Sequence, residues 1–179
     1  MKSLTTKHPI VYFKTTALVL ITAVFFPFFV HLIPPIDGIP IGAFLLPMFY
    51  IPFIAIFFYD WKVALPIAIL APLLNFLITG NPNWEFLAVL TIELILFTGI
   101  VYTLLNKGKI KWFAAPLGYI IAKIISSLLL FLIPLLPAVP WEFFLTSLSR
   151  ALPGIGILWL INFLLLKFFS PENRYDAQA

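Results

Sequence analysis

Long apolar runs, cut at short intervals by clusters of proline, glycine, asparagine and charge, set the rhythm of this chain. A helix that crosses the hydrocarbon core of a bilayer needs about 20 mostly apolar residues. Six stretches answer to that length. The first covers 16–33 and closes at Pro34-Pro35; the second covers 41–58 and closes at Tyr59-Asp60-Trp61-Lys62. The third, 63–79, ends in the turn cluster Gly80-Asn81-Pro82-Asn83, and the fourth, 86–105, stops at Asn106-Lys107-Gly108-Lys109. The fifth covers 112–133 and the sixth 150–169, with a proline-rich, partly apolar stretch at 134–149 expected to dip into the interface. The first run lacks the small-residue cleavage pattern of a signal peptide and is read as a retained span. The pattern therefore predicts an all-α integral membrane protein: a six-helix membrane domain over 16–169, a cytoplasmic segment at 1–15 and a polar cytoplasmic tail at 170–179.

Composition agrees with that reading. Hydrophobic residues make up 63% of the chain and charged ones 10%, whereas a soluble domain carries roughly 25% charge. A net charge of +4 spread over eleven separated basic residues gives no nucleic-acid surface. The absence of cysteine excludes disulfides and thiolate metal sites. Orientation follows from the basic residues of the short loops. With a cytoplasmic N-terminus, the inner side receives Lys2, Lys7, Lys14, Lys62, Lys107, Lys109, Lys111, Lys167 and Arg174, and the outer side only Arg150. Both termini are expected in the cytoplasm. Pro27, Pro47, Pro52, Pro66, Pro72, Pro116 and Pro153 fall within spans, where each removes a backbone donor and bends its helix. They suit either irregular packing or a bundle of bent helices around a cavity.

Glu93 and Lys123 are the charges well inside spans. Each costs about 2.5–3.5 kcal/mol at a helix centre, so neither is expected to face lipid. Glu93 lies about 10 Å below the start of the fourth span and Lys123 about 15 Å below the end of the fifth. Two long side chains bridge that difference in depth, and an ion pair is expected, either as a pin of helix register or as the border of a ligand site. On the third span Ala64, Ala68, Ala71, Asn75 and Thr79 share a face; on the sixth, Arg150, Gly154, Leu158 and Asn162 do. Asn75, Glu93, Lys123 and Arg150 thus converge on the outer half of the bundle. Trp84 and Trp141, in the outer loops, suit a lid on such a pocket or interfacial anchors. The chain has no phosphate loop, no HExxH and no GxSxG, and its two histidines, His8 and His31, fall on opposite sides. No enzymatic activity, metal or cofactor is expected.

The order of these features resembles a known family. The segments Ile41-Gly42-Ala43-Phe44-Leu45-Leu46-Pro47 and Ala71-Pro72-Leu73-Leu74-Asn75-Phe76-Leu77-Ile78-Thr79-Gly80-Asn81-Pro82 resemble the second and third spans of the substrate-binding S components of energy-coupling factor (ECF) transporters. A glutamate follows in the next span, here Glu93 in Thr91-Ile92-Glu93-Leu94. Ala122-Lys123 stands where the family carries Gly-Arg, and Pro153-Gly154-Ile155 opens the sixth span as it does there. The chain departs from the family at Ala17 and Ala23, six apart where Ala-x-x-x-Ala is usual, and at Leu158 in the place of a frequent glutamine. The resemblance implies a membrane-embedded capture subunit in a prokaryotic cell membrane, binding a vitamin or related small heterocycle near the extracellular side. Asn75, Trp84, Glu93, Lys123, Trp141 and Arg150 are its candidate binding residues. It also implies docking on a transmembrane T component and two ATPase subunits. The competing expectation is a scaffold without a ligand, similar to the MreD cell-shape group, in which Glu93–Lys123 only pins helix register.

Overall fold

The computed structural model describes residues 9–80, 82–137 and 139–169. In chain order the elements are α1 (Pro9–His31), α2 (Gly42–Leu45), α3 (Pro47–Phe58), α4 (Trp61–Thr79) and α5 (Trp84–Leu105). A 3₁₀ helix (Gly108–Phe113) then leads into α6 (Ala114–Leu132), α7 (Pro140–Arg150) and α8 (Leu152–Phe169). Among the described residues the only strand-like feature is one isolated bridge between Ile36 and Ile39. Five stretches are long and apolar enough to cross a membrane: Tyr12–His31, Trp61–Thr79, Trp84–Leu105, Gly108–Leu132 and Leu152–Phe169. The chain is a multi-pass membrane protein. Leu18, Phe25, Phe29, Leu128 and Phe131 stay exposed on the outside of the bundle, a surface suited to acyl chains.

The helix ends follow local chemistry. Asp60 caps α4, its carboxylate accepting the Trp61 N–H at 2.6 Å, and Asn83 caps α5 by accepting the Phe86 N–H at 3.2 Å. Gly80, at φ +70°, closes α4 in the left-handed conformation that a glycine takes without strain. Pro47 and Pro140 stand in the first turns of α3 and α7, where no backbone donor is needed. Pro116 and Pro153 likewise sit within the first three residues of α6 and α8, so they start helices rather than bend them. Pro27, Pro52, Pro66 and Pro72 lie inside helices.

Two expectations about the spans need correction. The helix expected over 41–58 is broken at Leu46, which adopts φ 55° and ψ 42°. Pro47 disfavours the right-handed helical conformation of the residue before it and has no N–H to continue the ladder. The left-handed conformation costs a non-glycine residue roughly 1–2 kcal/mol, and the surroundings hold it in place. The Tyr50 hydroxyl donates to the Leu45 carbonyl, while Gly154 of α8 abuts the break. A Cβ on Gly154 would lie 2.7 Å from Leu46 Cγ and 2.8 Å from both the Leu45 carbonyl carbon and the Phe44 oxygen.

The second correction concerns Arg150. It closes α7 rather than opening the last span, with the Ala151 N–H bonded to the Ser147 carbonyl at 3.0 Å. Pro153 has no N–H to offer Ser149, so α8 begins anew at Leu152 and Arg150 belongs to the preceding helix. The stretch at 134–149 contains all of this 11-residue helix except Arg150, and none of the helix's residues is buried.

The core runs through α3, α4, α5 and α6. Ala64 and Ala68 are fully buried and let the backbones of neighbouring helices approach. Gly118 does the same between α5 and α6: a Cβ there would meet Val101 Cγ2 at 2.4 Å. Asn162, fully buried, fastens α8 to the start of α6. Its amide donates to the Lys111 and Trp112 carbonyls at 3.0 and 2.9 Å, and its oxygen accepts the Ala115 N–H at 3.2 Å. The Lys111 carbonyl also accepts the Ala114 N–H, so the amide adds a second donor where the 3₁₀ helix passes into α6.

Candidate functional site

One end of the bundle holds a half-open cavity of about 1010 Å³. Its walls come from the C-terminal ends of α1 and α4, the N-terminal halves of α3 and α5, the middle of α6, and α7. Such a volume matches the upper end of small-molecule sites, which span roughly 300–1,000 Å³. The opposite end of the bundle carries Lys62 at the start of α4, Lys107 after α5, Lys109 and Lys111 in the 3₁₀ helix, and Lys167 near the end of α8. There the Tyr12 hydroxyl donates to the Lys62 carbonyl and ties the starts of α1 and α4 together.

Glu93 and Lys123 meet in the wall of the cavity. Lys123 Nζ lies 2.7 Å from Glu93 Oε1, and both side chains are about 95% buried. Ser126, one turn beyond Lys123, places its hydroxyl 2.9 Å from the same carboxylate oxygen and 3.0 Å from the Lys123 carbonyl. Phe143 of α7 lies over the ammonium, with Nζ 4.8 Å from the ring centroid, and the Tyr119 ring centre is 5.9 Å away. A buried charge is tolerated when it is paired and hydrogen-bonded, and this one has an ion, a hydroxyl and an aromatic face. The expected ion pair is present.

Asn75, Glu93, Lys123 and Arg150 all line the cavity. Asn75 is buried, with its amide donating to the Val24 carbonyl of α1 at 3.3 Å. That carbonyl is next to the carbonyl of Ala23, which Pro27 leaves without a helical donor, so Asn75 meets α1 one turn before the proline. Thr79, one turn on, donates to the Asn75 carbonyl at 2.8 Å. Arg150 is exposed at the rim. Trp84 and Trp141 are 63% and 59% exposed and do not line the cavity, although their neighbours Asn83 and Glu142 do. Trp141 stacks on Phe144 instead, with ring centroids 5.6 Å apart.

His31, Tyr119 and Phe143 also line the cavity and were not singled out from the sequence. A signal for Phe143 is present: Phe143, Ser147 and Arg150 recur at helical spacing and form one face of α7. Ser126, three residues after Lys123, was legible in the same way. Among the described residues no group of three or more histidine, aspartate or glutamate side chains could hold a metal. The arrangement can hold a ligand between apolar walls and orient it by a few polar groups. The chain matches no family model, no curated protein and no solved structure.

Proposed function

We propose that this protein is the substrate-capture subunit of an ECF-type uptake transporter, taking a vitamin or related small heterocycle from the outer side of a prokaryotic cell membrane. The observation that carries this reading is the buried Glu93–Lys123 pair in the wall of a cavity of about 1010 Å³, joined there by Asn75 and Arg150 from two further helices. On this reading α2 and α3 together make a sixth crossing, and both termini are cytoplasmic. The lysines gathered at the end away from the cavity support that orientation, since short cytoplasmic loops carry the excess of basic residues. The family resemblance of the Pro72-to-Glu93 stretch supplies the partners: a transmembrane T component and two ATPase subunits that provide the energy. The subunit itself binds and does no covalent chemistry.

The test is a thermal-shift screen of the purified chain in nanodiscs against water-soluble vitamins and nucleobase derivatives. A compound at 100 times its dissociation constant adds about 2.7 kcal/mol to stability, and Arg150→Ala should weaken its binding while folded protein persists. If no compound shifts the transition, the capture reading fails. The scaffold similar to the MreD group then takes its place, with Glu93–Lys123 as its register pin.

A further inference from the structure

The innermost polar surface of the cavity divides its hydrogen-bonding capacity unevenly. Both protein donors to Glu93 end on Oε1: Lys123 Nζ at 2.7 Å and Ser126 Oγ at 2.9 Å. Among the described residues no donor reaches Oε2. Glu93 Oε2 is not among the buried side-chain atoms left without a partner, so this oxygen is open to the cavity that Glu93 lines. Beside it, the Lys123 ammonium has three N–H donors and spends one on Glu93. The site therefore offers a free acceptor and a free donor next to each other, with no net charge.

That combination selects a ligand group. A carboxylate placed here would face the charge of Glu93, and an ammonium would face that of Lys123. Like-charge contacts of this kind cost far more in a low-dielectric interior than in water. A neutral group with an adjacent donor and acceptor meets both partners without either penalty. The surrounding wall is aromatic: Phe49, Phe86, Tyr119 and Phe143 all line the cavity, and such rings favour a flat partner by stacked or edge-on contact. Charge is available only farther out, where Glu142 and Arg150 stand eight residues apart on α7, about 12 Å along its axis.

Resting on the capture reading above, we infer that the Glu93–Lys123 pair recognises the lactam edge of a planar heterocycle, an adjacent ring N–H and C=O. The N–H donates to Glu93 Oε2, the carbonyl accepts from Lys123 Nζ, and any anionic tail extends to Arg150. The pair thus serves as the reading head of the cavity as well as a link between α5 and α6.

Calorimetry on the unmodified chain in nanodiscs tests this with three probes of increasing size: uracil, hypoxanthine and lumiflavin. Each is titrated beside its N-methylated counterpart: 1,3-dimethyluracil, 1-methylhypoxanthine and 3-methyllumiflavin. At least one parent probe should bind, and methylation should weaken it by roughly ten- to hundred-fold, because it removes the donor and leaves a buried carboxylate oxygen unmet. Equal affinity of parent and methylated probe, within a factor of about two, overturns the lactam assignment and leaves the capture reading standing. Binding of nicotinate with none of the three lactams has the same effect. If neither these probes nor the wider vitamin panel binds, the capture reading fails and this inference fails with it.

Discussion

Replacing Lys123 by methionine removes the ammonium while keeping most of the side-chain volume, and isolates what the charge contributes. Glu93 is then left with one protein donor, the Ser126 hydroxyl at 2.9 Å, in a site where its side chain is 5% exposed. Breaking a buried pair by removing one partner typically costs about 3–5 kcal/mol. Lys123→Met should therefore destabilise the fold by about 3–4 kcal/mol, the lower part of that range because Ser126 still donates to the carboxylate. The double variant Glu93→Gln/Lys123→Met should recover much of the loss. Equilibrium unfolding in mixed micelles of mild detergent and dodecyl sulfate, read by tryptophan fluorescence, measures all four corners of the cycle. Additive penalties within about 0.5 kcal/mol would refute the reasoning.

Other outcomes are equally open to measurement. Cysteines placed at Asn83 and Gly108 should label with an impermeant maleimide from outside and inside the cell respectively; the reverse pattern overturns the proposed orientation. Gly154→Ala drives a methyl group to 2.8 Å from the backbone of Phe44 and Leu45 and should destabilise by about 1–3 kcal/mol, whereas Gly156→Ala, with open space around it, should not. Asn162→Leu removes the side-chain partner of the Ala115 N–H and of the Trp112 carbonyl and should cost at least about 2 kcal/mol in the same unfolding assay. A loss below 0.5 kcal/mol would mean that water replaces the amide.

Apolar length carries most of the architecture, because a bilayer imposes one length on every crossing. The spans starting at residues 63 and 86 match α4 and α5 to within two residues at each end. The Glu93–Lys123 pair was legible for a similar reason: two charges deep within apolar runs have few alternatives to each other. Proline was harder to read. Pro47 is visible in the sequence, but whether it bends a helix or breaks it depends on the contacts that support the break: the nearby Tyr50 hydroxyl, and Gly154, which lies more than a hundred residues away in the chain. The spacing of Arg150 to Gly154, Leu158 and Asn162 fits a helix and draws it into the last span. Pro153 divides that run, and Asn162 turns out to fasten the far end of the bundle. The positions of Trp84 and Trp141 relative to the cavity depended on how two helix starts are rotated, which spacing alone does not fix.

The break at Leu46 also has a consequence for the lipid. From Gly42 to Phe58, α2 and α3 span 17 residues, or about 25 Å at full helical rise. The hydrocarbon core of a typical bilayer is about 30 Å thick. On the six-crossing reading this segment sits at the short limit for a crossing, and local thinning of the bilayer would meet the hydrophobic mismatch at a fraction of a kcal/mol per Å. The thinned zone lies beside the cavity wall, since Leu46, Pro47 and Phe49 line it. On that reading water and headgroups would come closer to the cavity there than around the longer helices, which would shorten the distance a polar solute travels through apolar surroundings to reach it.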